Sequence, residues 1–196
     1  MKRWKIYKVP HRRRREGRTN YKKRLKLLMS GKPRFVVRRT SNNTVCQVVE
    51  YKKEGDVTLA SADFHDLKKL GWKAHTGNVP ASYLIGLICG LKAKKKKVKS
   101  AVLDIGFHTS VKGAGVYAAL KGFIESGIDV PHSQDILPDD NRVKGIHIEE
   151  YAKKLRSENE ERYKKQFSRY LKMGFSPENL SKHFEEIREK ILKTFK

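Results

Sequence analysis

The chain has 196 residues, enough for one ordinary domain with extensions or for two small domains, and long enough to bury a core without staples. It carries 45 Lys+Arg against 21 Asp+Glu, a formal charge of +24, which opposes compaction and predicts a polyanionic partner. Cys46 and Cys89 form no Cys-x-x-Cys pair, which argues against a disulfide framework or a thiolate zinc module, and the longest apolar stretch, residues 83–91, is far shorter than the roughly 20 residues of a membrane span.

The charge is unevenly placed. Residues 1–39 hold 17 basic residues and one acid, Glu16, and so carry +16 of the +24. The expected organisation is a basic arm (1–18), a nearly ordinary globular body (19–145) and a charged helical extension (146–196). Read alone, the arm has no periodicity and is expected to be disordered, and it is too basic to be a secretory signal. The two lone thiols fit a reducing, intracellular setting.

From Asn20 the spacing of Tyr21, Leu25, Leu28 and Met29 predicts a helix, ended by "SGKP". Three β-branched runs follow, "RFVVRRT" (34–40), "TVCQVVEY" (44–51) and "DVTLASA" (56–62). Their short turns predict an antiparallel meander. Asp63 is placed to cap a short helix to about Leu70, and Asn78 with Pro80 opens a longer one. This second helix is apolar nearly all round, and Gly86 and Gly90 are expected to let it approach a sheet closely. "SAVLDIGF" (100–107) reads as a buried strand, residues 114–126 as a helix, and "IDVPHS" (128–133) as a last short strand, limited by Pro131. The order predicts an α/β fold with a mixed sheet. The tail beyond Gly145 reads as an appended helical hairpin or a segment that orders on a partner.

Gly113, Gly115 and Ala118 have the shape of a dinucleotide fingerprint, but no strand runs directly into the turn and no second βαβ half follows. Two other readings remain: glycines that allow a turn and close packing, or a helix start facing a nucleic-acid phosphate with His108, Thr109, Ser110 and Lys112. The seven histidines show no ligand spacing, and acids on the strands are few, so no metal site, cofactor or catalytic group is expected. The arm combines Arg12, Arg13, Arg14 and Arg15 with Trp4, Tyr7 and His11, and Tyr21 follows just beyond it. Planar cations interleaved with rings suit phosphate contact and base stacking; the bland reading is a solvated charge run or a localisation signal.

"RRRREGRTNYKKRLKLLMSGKPRFVVRRTSNN", "CQVVEY", "TLASA", "LDIGFHTSVKGAGVYAALKGFIESGIDVPHSQDILP" and "RVKGIHIEEYAKKL" occur in order. Together they resemble universal family eighteen of the large-subunit ribosomal proteins, in its archaeal/eukaryotic branch. That family holds 5S rRNA at the central protuberance. The resemblance implies a three-layer α/β/α fold with a mixed five-stranded sheet in a ribonuclease-H-like arrangement. It implies no catalysis, a place in the cytoplasmic ribosome, and 5S rRNA, the large rRNA and neighbouring large-subunit proteins as partners. Carried over by residue, the RNA-binding set is Arg12–Arg15, Lys22, Lys23, Arg34, Arg38, Arg39, Ser41, Asn42, Gln47, His108, Thr109 and Lys112. Two rivals are a general RNA- or DNA-binding protein and a dinucleotide-binding enzyme.

Overall fold

A computed structural model describes residues 8–195 of the chain. Its centre is a mixed four-stranded sheet in the order β3-β2-β1-β4. β1 (Arg34–Arg39), β2 (Thr44–Lys52) and β3 (Gly55–Ala62) form the expected antiparallel meander, with a bulge at Val48/Val49. β4 (Val102–Asp104) joins β1 in parallel, Val36 beside Asp104. The run expected as a strand over 100–107 yields only three strand residues. Gly106 turns with φ +61°, and its N–H is taken by the Asp104 carboxylate at 2.9 Å.

The fifth strand is not formed as expected: residues 128–133 contribute one isolated bridge, Ser100 to Asp129. Pro131 has no N–H to extend a ladder, and the Val130 carbonyl is engaged by the His132 ring at 2.7 Å. The described sheet therefore has four strands.

Period-two alternation splits the sheet into two faces. Phe35, Val37, Cys46 and Val48 are fully buried on one, against α4 (Val79–Lys95) and α5 (Gly115–Glu125), with Phe35 stacked on Phe123 at 3.9 Å. α4 starts at the expected cap, Asn78 accepting from the Ala81 N–H, and α3 (Phe64–Lys69) starts at Asp63 in the same way. The glycines of α4 face a helix, not the sheet. A Cβ on Gly86 would overlap the Ala119 carbonyl of α5, and one on Gly122 of α5 would overlap the Tyr83 carbonyl of α4.

The tail is more integrated than a hairpin. α6 (Asp140–Lys144) and α7 (Ile146–Glu158) are followed by α8 (Glu160–Gln166), α9 (Ser168–Lys172) and α10 (Leu180–Phe195). Leu155, Phe167, Leu180, Phe184, Ile187 and Ile191 enter the same core as α4 and the sheet. Aromatics share the packing with these aliphatics: Tyr83 meets Phe184 at 5.5 Å, and Tyr163, Phe167 and Tyr170 adjoin in series. Cys46 and Cys89 are free thiols in this core. Burial raises both pKa values, that of Cys89 to about 12.

Candidate nucleic-acid interface

The opposite face of the sheet carries the charge. α2 (Tyr21–Leu28), capped by the Asn20 side chain on the Lys23 N–H, lies across it without burying any residue. Tyr21, Leu25 and Met29 remain exposed. Beside half-buried Leu27 and Leu28, an ionic contact ties α2 to the sheet: Arg24 grips Asp56 with two hydrogen bonds of 2.8 and 2.9 Å. Arg34, only 5% exposed, spans Asp56 (2.7 Å) and Asp104 (2.9 Å) beneath it. Arg38 donates to the Asp104 carboxylate at 3.1 Å and to its backbone carbonyl at 2.7 Å. Partial burial opposes ionisation of Asp56, but the hydrogen bonds and charge of Arg24, joined by Arg34, outweigh it and hold the carboxyl below the usual range.

Between α2 and the sheet runs a cleft of about 690 Å³, lined by Arg13, Arg18, Lys23, Arg24, Lys26, Arg34 and Arg38 against only Asp56 and Asp104. Both carboxylates are already shared among arginines, so the cleft keeps a strong positive excess at a fixed geometry. Such a surface attracts phosphate and needs little reorganisation when one arrives. Before it stands α1 (Arg12–Arg15), one helical turn with every side chain exposed, where disorder was expected for the arm. Arg12 pairs with Glu16 at 2.7 Å, Arg13 donates to the Thr19 hydroxyl at 2.9 Å, and His11 lies 5.7 Å from the Tyr21 ring. Trp4 and Tyr7 lie outside the described residues.

A second group gathers at the ends of β1 and β4. The Arg39 backbone N–H donates to His108 Nε2 (3.1 Å), and its guanidinium donates to the Gly77 carbonyl (2.6 Å). Partial burial and the charges of Arg38 and Arg39 lower the His108 pKa, so its ring is neutral and keeps Nδ1–H as a donor. Gly115 is where Arg39 needs space, since a Cβ there would lie 2.6 Å from its Nε. That is the structural work of the glycine-rich loop; β4 ends at Asp104, well short of the turn. Thr109, Ser110 and Lys112 are exposed on this loop, and Ser110 Oγ is 2.5 Å from the Tyr117 hydroxyl.

The predicted residues thus fall into two sets. Arg13, Lys23, Arg34 and Arg38 line one cleft, with Lys22 exposed on α2; Arg39 meets His108 at the strand ends, and Asn42 accepts from Thr76, next to the Gly77 that Arg39 holds. Arg34 is turned inward to two aspartates rather than outward. Gln47, half-buried, sits beside Val36 on the cleft side, and Ser41 is exposed in the β1–β2 turn. Arg24, Asp56 and Arg169 complete these sets and were not marked by spacing. Arg24 and Asp56 are 32 residues apart, and Arg169 reaches Asn42 Oδ1 at 3.2 Å from 127 residues away. Among the described residues no group of His, Cys, Asp or Glu is placed to hold a metal ion, and no helix is long and apolar enough to cross a membrane.

A sequence model described as ribosomal large subunit proteins 60S L5 and 50S L18 matches residues 5–99 and 91–133. The matched segments contain α1, α2, the whole sheet and α5, and so both charged sets except Arg169.

Proposed function

We propose that this chain, which belongs to the family of ribosomal large subunit proteins 60S L5 and 50S L18, binds 5S rRNA and ties it to the large rRNA at the central protuberance. Membership makes it an rRNA-binding ribosomal protein that serves translation. The finer reading rests on one observation: the cationic cleft between α2 and the sheet, whose aspartates are all neutralised from within. In this reading the arm and α2 neutralise backbone phosphates. Arg34 positions Asp104 and Asp56 rather than touching RNA, and Arg38 is presented by Asp104. The turn residues Ser41 and Asn42, with Gln47 and the loop His108–Lys112, read unpaired bases and 2′-hydroxyls. No reaction is part of it.

The test is a filter-binding titration against 5S rRNA and tRNA over a range of salt. Deleting residues 1–18 is expected to weaken 5S binding and flatten its salt dependence, by about 0.7–0.9 in slope for each phosphate that the arm no longer neutralises. Replacing Ser41, Asn42 and Gln47 together is expected to reduce the preference for 5S rRNA more than the slope. Unchanged slope on deletion would refute the role of the arm. Equal binding of 5S rRNA, tRNA and duplex DNA at matched salt would favour the general nucleic-acid binder instead.

A further inference from the structure

A second groove lies where the tail meets the body, away from the α2 cleft. It measures about 510 Å³, within the range of clefts that hold small ligands, and is lined chiefly by His75, His147, Tyr151, Phe167, Arg169 and Tyr170. No carboxylate lines it, although the tail holds nine Glu against 13 Lys+Arg. Burial of the two imidazoles, reinforced by Arg169 and Arg39 beside His75 and by Arg142 beside His147, outweighs the opposing charge of Glu150 near His147 and keeps both rings uncharged at neutral pH. They therefore offer flat faces and ring nitrogens rather than charge. The His75 tautomer is fixed. Its Nδ1 accepts from the Gly77 N–H at 3.1 Å, leaving Nε2–H toward Asn42 Oδ1 at 3.4 Å.

Tyr151 is 43% exposed, and its ring stands 6.4 Å from that of Phe167, which is buried. One wall is thus a fixed aromatic floor and the other a ring open to solvent. Arg169, at the rim, reaches the β1–β2 turn through Asn42, which joins the groove to the surface assigned above to RNA. Rings, neutral imidazoles, one guanidinium and no acid in the lining are complementary to an anionic strand that presents an unstacked base. We infer that this groove receives a single unpaired nucleotide of RNA, the base against Tyr151 and its phosphate toward Arg169. The inference rests on the chain being an RNA-binding protein but not on the RNA in the α2 cleft being 5S rRNA.

The test uses the full chain saturated with 5S rRNA, so that the first cleft is filled, titrated with a fluorescent decauridylate containing one 4-thiouridine. Binding is expected, with photocrosslinks in the peptides around His147–Tyr151 and Phe167–Tyr170. Tyr151→Ala is expected to weaken it about five- to hundredfold, while Tyr151→Trp retains it and both variants bind 5S rRNA as the parent does. Binding indifferent to Tyr151→Ala, crosslinks only elsewhere, or no binding to either the 5S-saturated or the free chain would overturn the inference; a groove that takes a protein segment instead would give one of these results. If the parent fails to bind 5S rRNA, the earlier reading falls, and the same titration on the free chain, scored by the Tyr151 variants and crosslinks, still decides this one.

Discussion

Asp104 joins three partner residues in the interface, against two for Asp56. Its side chain accepts from Arg34, Arg38 and the Gly106 N–H, and it is 7% exposed. Removing it leaves Arg34 buried with one fewer counter-charge, and breaking a buried pair costs about 3–5 kcal/mol. Arg38 is 44% exposed at its side chain, so Arg38→Ala is expected to cost about 1 kcal/mol or less in stability and to act mainly on RNA affinity. Urea unfolding of Asp104→Ala and Arg38→Ala, compared in one buffer, checks the ordering; equal midpoints would remove Asp104 from this role. At this scale the sequence was partly legible. Basic residues on strands and in the arm stand out by type, but pairing does not. Arg34 and Arg38 look alike in "RFVVRR", and only the register that brings Asp104 beside Val36 shows that one is held inside and the other presented.

Helices and strands were legible wherever a local signal sets them. Asn20, Asp63 and Asn78 each cap the helix expected of them, and the meander follows its turns. What a helix faces is not local. Gly86 sits in a helix apolar on all sides, so its sequence neighbours do not tell sheet from helix; the contact is with the Ala119 backbone. Because backbone, not a flexible side chain, occupies that space, Gly86→Ala must push α4 and α5 apart. We expect a loss of about 1–3 kcal/mol, against the gain of up to about 1 kcal/mol that alanine brings to an open helix position. Chemical denaturation of Gly86→Ala decides the sign, and a more stable variant would mean that the two helices are not held this close. The single bridge in place of a fifth strand has a similar origin, since Pro131 was visible but the loss of the Val130 carbonyl to His132 was not.

For the molecule as a whole, pH acts through two sets of groups in the same direction. His75, His108, His147 and His183 are held below the ordinary imidazole pKa, first by burial and then, for the first three, by nearby arginines. The unfolded chain takes up protons on these rings from about pH 6.5 downward, while the fold resists them, so stability falls as pH drops from about 7 toward 5. The carboxyls of Asp56, Asp63 and Asp140 are held below their usual value, and their contribution, present above about pH 4, is lost as they are protonated. Each added proton also enlarges an existing charge of +24. Thermal midpoints at pH 5, 6 and 7.5 are therefore expected to rise in that order; a flat or inverted series would contradict the assigned shifts. The division of charge between arm and body could be read from composition alone, whereas the anchoring of the tail on α4 depends on aromatic contacts made over long sequence distances.

The two thiols sealed behind the sheet give this chain a built-in reporter. With both pKa values raised and neither sulfur near solvent, alkylating reagents reach them only when strand β2 parts from α4. The rate of modification therefore counts excursions of the central layers. Occupancy of the outer cationic surface by a nucleic acid should slow that count without any ligand touching sulfur, so two ordinary cysteines can time how firmly a distant cargo clamps the protein shut.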